Sequence, residues 1–148
     1  MAIFIASDHA GFELKADLAR FLAESGHEVV DVGPSSLVPG DDYPDFVSKV
    51  AAAVSQDPAG SRGIVIGGSG QGEAMVANRF PYVRAAVYYG GAPDIVRLSR
   101  EHNDANVLSL GARFVDVAAA HDAVSLWLST AFSGDEHHAR RIKKIERD

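Results

Sequence analysis

The chain has 148 residues, of which 47% are hydrophobic, and a formal net charge of -6. This length and apolar content predict one domain over residues 1–148 with a buried core, and the acidic charge argues against non-specific nucleic-acid binding. The absence of cysteine excludes disulfides and a cysteine nucleophile. No apolar run reaches the ~20 residues of a membrane span, and the N-terminus lacks the basic flank of a signal peptide, so we expect a cytoplasmic protein.

The first half of the chain alternates short apolar strands with amphipathic helices. Residues 2–7 form a β-rich apolar run, and residues 12–25 carry apolar side chains at helical spacing as far as Gly26. A second strand is predicted over 27–33. A loop rich in proline and glycine follows, and a second amphipathic helix is predicted over 45–56.

The second half continues the same alternation. The predicted pairs of strand and helix are 62–68 with 73–80, 83–89 with 92–103, and 105–112 with 115–130, before a charged terminal helix over 136–148. Strands that are apolar on both faces and alternate with helices predict a three-layer, Rossmann-like α/β sandwich. We expect a five-stranded, mostly parallel sheet with an added C-terminal helix.

Ligands of such sheets bind at the carboxyl ends of the strands. That rule nominates four segments that hold acids, histidines or glycines. They are SDHAG (7–11), DDYPD (41–45), GGSGQGE (67–73) and the approach to EHND (101–104).

The third segment is a glycine-rich loop that leads into a helix. Backbone N–H groups without side chains in the way can hold an oxyanion there. The loop ends in Gly72-Glu73-Ala74 and follows the third strand, so it matches neither a P-loop nor the dinucleotide fingerprint. An acid in a first turn often only complements the helix dipole. Beside an oxyanion cradle, however, Glu73 is placed to remove a proton next to a carbonyl, and desolvation would raise its pKa.

Other polar residues have both a structural and a functional interpretation. Asp8 suits a helix cap, but with His9 it forms an acid–base and anion-binding pair at a strand end, and we weigh that function above the cap. His102 at a helix end is often only a dipole complement, and Arg113 alone is usually a solvated surface residue.

The charged terminal helix is mostly a solvated face. His137 and Arg141 share one side of it, however, and could together hold a phosphate. The six histidines contain no His-x-x-x-His spacing, and we expect the adjacent His137 and His138 to point in different directions, so we predict no metal or cofactor. His121 is expected to be a surface residue.

These segments together resemble the ribose-5-phosphate isomerase type B family, which includes the galactose-6-phosphate isomerase subunits. The resemblance covers nearly the whole chain, and its segments occur in order and at family spacing. They are SDHAGFELK, DYPDF, GGSGQGEAMVANRF, RLSREHNDANVLSLGAR and HHARRI. The resemblance implies a metal-free aldose–ketose isomerase that acts on a phosphorylated sugar. One branch of the family has a cysteine base at the position of Gly67, whereas this chain resembles the branch whose base is a glutamate in the next turn, here Glu73.

The resemblance also implies a role for each matching position. These roles are ring opening by Asp8 and His102, oxyanion binding by Ser69 and the amides of Gly70 and Gly72, substrate binding by Gly68, sugar contact by Tyr43 and Asn103, and phosphate binding by His9, Arg113, His137 and Arg141. The family forms dimers with active sites built from both subunits, so the resemblance implies a homodimer and leaves a tetramer open.

One position departs from the family pattern, because His137 stands where a second arginine is usual. Arginine stays charged and binds phosphate through two donors, whereas histidine is mostly neutral at pH 7 unless a phosphate dianion favours its protonated form.

The reaction that the resemblance implies is the interconversion of D-ribose 5-phosphate and D-ribulose 5-phosphate through a cis-enediolate. Two alternatives stay open: the same chemistry on allose 6-phosphate, galactose 6-phosphate or a tetrulose phosphate, and a non-catalytic sugar-phosphate binding module.

Overall fold

The computed structural model describes residues 1–146. Its strands are β1 (Ala2–Ser7), β2 (Glu28–Asp31), β3 (Ser61–Gly67), β4 (Ala85–Tyr88) and β5 (Val107–Gly111). Its helices are α1 (Phe12–Glu24), α2 (Pro44–Gln56), α3 (Gln71–Ala77), α4 (Asp94–Glu101), α5 (Val117–Ser129) and α6 (Glu136–Ile145). The last two positions of the predicted terminal helix, 147–148, lie outside the described residues.

The five strands form one parallel sheet in the order β2-β1-β3-β5-β4. Helices α1, α4 and α5 cover one face, and α2 and α3 cover the other. The predicted α/β sandwich is therefore confirmed, and its C-terminal helix is α6. Among residues 1–146, no helix has the length and apolar character needed to cross a bilayer.

Alternation along the central strand explains the two cores. Ile64 and Ile66 of β3 pack with Trp127 and the rest of the α1, α4 and α5 side, whereas Val65 packs with Val50 on the α2 side. All five side chains are fully buried. Burial on both faces is why the strands read as continuous apolar runs in the sequence.

Helices α3 and α5 begin at residues other than those predicted, and local contacts at each helix start explain the difference. The third helix begins at Gln71, two residues before Glu73, because Gly70 caps it in a left-handed conformation with φ of 77°. The fifth helix begins at Val117 rather than at 115, because the Asp116 side chain accepts a hydrogen bond of 2.7 Å from the N–H of Ala119.

The direction of α4 corrects one of the four nominated segments. A helix that joins parallel strands runs back from the carboxyl edge of the sheet to its amino edge, and His102 caps the end of α4 just before β5 begins at Val107. The EHND segment therefore lies at the amino edge. The other three segments follow β1, β2 and β3 and lie at or beyond the carboxyl edge. A five-residue strand separates the two edges by roughly 16 Å.

His121 was expected to be a surface residue, but the structure shows that it is half-buried. Its Nε2 lies 2.5 Å from Asp17 Oδ1, and its ring stacks on Phe21 with centroids 4.0 Å apart. These contacts join α5 to α1 on the outside of the sheet.

Candidate active site

The glycine loop after β3 is fixed by the end of the neighbouring strand. Ser109 of β5 is fully buried, and its hydroxyl donates a hydrogen bond of 2.6 Å to the carbonyl of Gly70. The N–H groups of Ala112 and Arg113 donate to the carbonyls of Gly67 and Gly68 at 2.8 and 3.1 Å. Carbonyl groups of the loop accept all three hydrogen bonds, which hold the loop at the carboxyl edge of the sheet.

Glu73 lies in the first turn of α3 and is only 3% exposed. Its carboxyl group folds back onto Gly67, so that a Cβ added at Gly67 would overlap the Glu73 Oε1 atom. A side chain at position 67 and the carboxylate of Glu73 therefore compete for the same volume. Burial raises the pKa of Glu73, and the negative charge of Asp8 raises it further, although its own backbone N–H opposes the shift.

Asp8 is not the helix cap that the sequence suggested, because the N-cap of α1 is Gly11 and no side chain caps it. Asp8 instead stabilises the turn between β1 and α1. Its Oδ1 accepts hydrogen bonds from the N–H groups of Ala10 and Gly11 at 2.9 and 3.2 Å. The side chain is buried, and it is close enough to Glu73 to affect that carboxylate electrostatically. The turn thus holds an anionic group beside the loop, which is compatible with the functional interpretation of Asp8.

His9 is held by Asp41, a residue that the sequence analysis did not single out. Asp41 Oδ1 lies 2.8 Å from both the backbone nitrogen and the Nδ1 atom of His9. The Asp41 side chain is 8% exposed, and its Oδ2 is buried without a partner among the described residues. The only sequence signal for this pair was the nomination of both segments as carboxyl-edge loops, since 32 residues separate them.

Tyr43 and Arg113 close over the same loop. A Cβ on Gly72 would lie 2.5 Å from the Tyr43 hydroxyl, and a Cβ on Gly68 would lie 3.2 Å from the Arg113 guanidinium carbon. The structure therefore brings nine of the thirteen predicted site residues to one edge: Asp8, His9, Tyr43, Gly68, Ser69, Gly70, Gly72, Glu73 and Arg113.

The other four predicted residues form a second group near the opposite edge. They are His102, Asn103, His137 and Arg141. The hydrogen bond from Ser133 N–H to the Glu101 carbonyl, 3.1 Å long, brings the start of α6 against the end of α4. Because the sheet lies between the two groups, a single chain does not assemble all thirteen residues at one point.

The start of α6 also corrects the expected orientation of two histidines. His138 is 9% exposed and stacks on His102 with centroids 4.2 Å apart, and the His137 ring lies 4.0 Å from the His138 ring. The adjacent rings therefore face each other instead of pointing apart, because His138 is pinned by His102 and His137 lies over it. Burial lowers the pKa of His138, and its histidine neighbours lower it further. In the sequence, only the adjacent pair His137 and His138 indicated this cluster.

Two groups of side chains have the spacing of metal ligands within the described part of the chain. They are Asp8, His9 and Asp41, and Asp135, His137 and His138. In the first group, Nδ1 of His9 is already bonded to Asp41. That group is therefore an oriented histidine rather than a set of free ligands.

Comparison with known proteins shows the family to which this sequence belongs. The profile described as Ribose/Galactose Isomerase matches residues 3–145. The chain belongs to the ribose/galactose isomerase family. This confirms the resemblance that the sequence motifs indicated.

Relatives in the ribose/galactose isomerase family match over most of their length. The chain is 41% identical over 142 residues to ribose-5-phosphate isomerase B of Mycolicibacterium paratuberculosis, covering 96% of this chain and 87% of that protein. It is 41% identical over 133 residues to ribose-5-phosphate isomerase B of Escherichia coli, covering 90% and 87%.

Solved structures of the same family have the same fold. The structure of ribose-5-phosphate isomerase B from Mycoplasma genitalium with bound ribulose-5-phosphate aligns with a TM-score of 0.94 at 40% identity, covering 99% of this chain and 94% of that one. The enzyme from Clostridium thermocellum aligns with a TM-score of 0.92 at 46% identity, covering 99% and 95%.

Proposed function

We propose that the chain interconverts D-ribose 5-phosphate and D-ribulose 5-phosphate, with Glu73 as the base. The observation that carries this proposal is the buried carboxyl group of Glu73, which has a raised pKa and lies against the end of β3 beside the glycine loop. A base with a pKa closer to neutrality is better suited to proton transfer than an ordinary glutamate. Family membership and the names of its relatives agree with this reaction.

The chemical step moves one proton between neighbouring carbons. Once the sugar ring has opened, the Glu73 carboxylate takes the proton from C2, and the electron pair forms the C1–C2 double bond while negative charge gathers on the C1 oxygen. Ser69 and the amides of Gly70 and Gly72 would stabilise that oxyanion. Glu73 then returns its proton to C1, and the proton of the C2 hydroxyl passes to the C1 oxygen, so that C2 becomes a carbonyl. The overall step needs no cofactor.

The full site needs a second copy of the chain. His102 and Asn103 would contact the sugar, and His137 and Arg141 would contact the phosphate, but these residues lie near the amino edge of their own sheet. In a two-fold symmetric dimer, each chain can present this edge to the carboxyl edge of its partner. We therefore propose a homodimer with two shared sites, working in the cytoplasm as part of the pentose phosphate pathway.

The direct test is the Glu73→Gln variant, assayed by NMR in D2O with a chelator present. From D-ribose 5-phosphate, wild-type protein should form the ketose with deuterium at C1 and, by the reverse reaction, should put deuterium at C2 of the aldose. The variant should lose at least about 1,000-fold of turnover, because glutamine cannot accept the proton, while still binding substrate. Glu13→Gln is a matched control, since Glu13 is also a first-turn glutamate but is exposed. Near-native turnover by Glu73→Gln would contradict the assigned base.

His137 supports a second candidate, the same chemistry on a different sugar. A histidine in place of arginine gives the phosphate site a weaker and shorter donor. A panel of four-, five- and six-carbon sugar phosphates under one set of conditions tests this candidate. A binding module without chemistry is less well supported, because a buried carboxylate such as Glu73 would repel an anionic ligand; saturable binding with zero turnover across the panel would favour it.

A further inference from the structure

Three histidine rings and one carboxylate lie together at the start of α6, near the edge of the sheet opposite Glu73. They belong to His102, His137, His138 and Asp135. The His102 and His138 rings stack with centroids 4.2 Å apart, and the His137 ring lies 4.0 Å from the His138 ring at a tilt of 45°. One ligand atom from each of Asp135, His137 and His138 lies within 4.8 Å of the other two. Tetrahedral coordination at ~2.1 Å places ligand atoms ~3.4 Å apart, so modest rotamer changes would bring the three onto one centre.

We propose that Asp135, His137 and His138 form a Zn²⁺ site, with one ion per chain and water in the fourth position. Imidazole nitrogen and carboxylate oxygen are common zinc ligands. Mg²⁺ and Ca²⁺ require mostly oxygen ligands, which this cluster does not supply.

The cluster is partly preorganised for a metal. His138 is buried against His102, so little side-chain freedom is lost when it coordinates. Asp135 and His137 are exposed and can adjust, and the Asp135 carboxylate makes no capping hydrogen bond to α6. The positive end of the α6 dipole and the charge of Arg141 oppose any cation, so binding depends on the imidazole–metal bonds.

Metal binding here has a consequence that rests on the proposed function. His137 is one of the residues proposed to hold the substrate phosphate, and a zinc-bound imidazole cannot donate a hydrogen bond from the coordinated nitrogen. Zn²⁺ therefore changes the apparent KM of the isomerase. The KM rises if His137 must donate to the phosphate from the coordinated nitrogen, and it falls if a phosphate oxygen replaces the zinc-bound water.

The test is calorimetric titration of the chelator-stripped, full-length protein with Zn²⁺ in the absence of any sugar phosphate. Wild-type protein should bind one ion per chain and should not bind Mg²⁺. His137→Arg and His138→Gln should each weaken binding by at least about 100-fold, because each loses a ligand. Asp135→Asn, at an exposed position, should weaken binding without disturbing the fold. His27→Gln, which removes a histidine outside the cluster, should bind as wild type does.

The outcomes separate this proposal from the isomerase assignment. Binding to wild type that the three cluster variants lose supports the site, whatever the turnover. Equal binding by wild type and the cluster variants, or no Zn²⁺ binding by wild type, overturns it. If binding is as expected but Zn²⁺ leaves the KM unchanged, the metal site stands and the role of His137 in the phosphate clamp is wrong.

Discussion

At the scale of single residues, the site depends on the position of one carboxyl group. Glu73 is almost fully buried, lies against Gly67 and feels the negative charge of Asp8. Burying a carboxylate in this way costs stability whenever the group is ionised. The same cost raises the pKa of Glu73, which suits its proposed role as the base, so stability and the proposed activity are opposed at this residue.

Glu73→Gln should therefore unfold at higher urea concentration than wild type near neutral pH. The sign follows from the raised pKa of Glu73 in the folded state: below the ordinary value of 4.5 the acid is protonated in both states, and wild type and variant should be equally stable. As pH rises through the folded-state pKa, the buried acid ionises and wild type becomes less stable than the variant. Urea unfolding from about pH 4 to about pH 8 measures this difference, and a difference that stays constant with pH would show that Glu73 is not the cause.

Gly67→Ala should displace the Glu73 carboxyl group, because the added Cβ would overlap Oε1. We expect turnover to fall by about 100-fold, as small misplacements of catalytic groups commonly do. The Glu73→Ala background is the control: with the carboxyl group removed, Gly67→Ala should cost less stability than it does in wild type. Equal costs in both backgrounds would place the strain elsewhere.

At the scale of elements, the loop between β2 and α2 is tied down at two points. The Lys15 ammonium on α1 is buried and donates hydrogen bonds of 2.8 Å to Asp31 and 2.7 Å to the Pro34 carbonyl at the start of the loop. Farther along, Asp41 binds the backbone and ring of His9 at the end of β1. The loop thereby carries Tyr43 to the carboxyl edge and holds His9 in one orientation.

Asp41→Ala should raise the KM for the sugar phosphate while leaving kcat largely unchanged. Without Asp41, the proposed phosphate contact of His9 loses its orientation, and a lost charge-assisted hydrogen bond of about 1.4 kcal/mol corresponds to about tenfold in binding. Steady-state kinetics beside Asp122→Ala, an exposed aspartate on α5, provides the comparison. A fall in kcat with an unchanged KM would instead give His9 a part in the chemistry.

At the scale of the whole molecule, the sequence predicted the layers and the position of the glycine loop at the carboxyl edge, but not the edge at which His102 lies. Apolar runs and glycine spacing reflect local constraints, which is why the sheet and the Glu73 loop were predicted correctly. The edge at which His102 lies depends on the direction of α4 across the sheet, which the motif around His102 does not indicate. The pairing of His9 with Asp41 and of His102 with His138 depends on tertiary packing, which no sequence period reports.

Mixing two inactive variants should restore activity if the sites are shared between chains. A heterodimer of Glu73→Gln and His102→Gln would have one site with both changes and one intact site. Random exchange of subunits should therefore recover about a quarter of wild-type activity, measured after the mixed variants are dissociated and reassembled. Each variant reassembled alone is the control. No recovery, with heterodimers shown to be present by mass, would mean that each site belongs to one chain.

The overlap between a side chain at Gly67 and the carboxyl group of Glu73 also limits how such an enzyme can evolve. In the branch with a cysteine base, the cysteine occupies the position of Gly67. Gly67→Cys alone would force a side chain into the volume that Glu73 fills, and loss of Glu73 alone would remove the proposed base. Neither single mutation leads smoothly from one catalyst to the other. Replacing one base by the other therefore needs changes at both positions, and we expect each change alone to lower turnover.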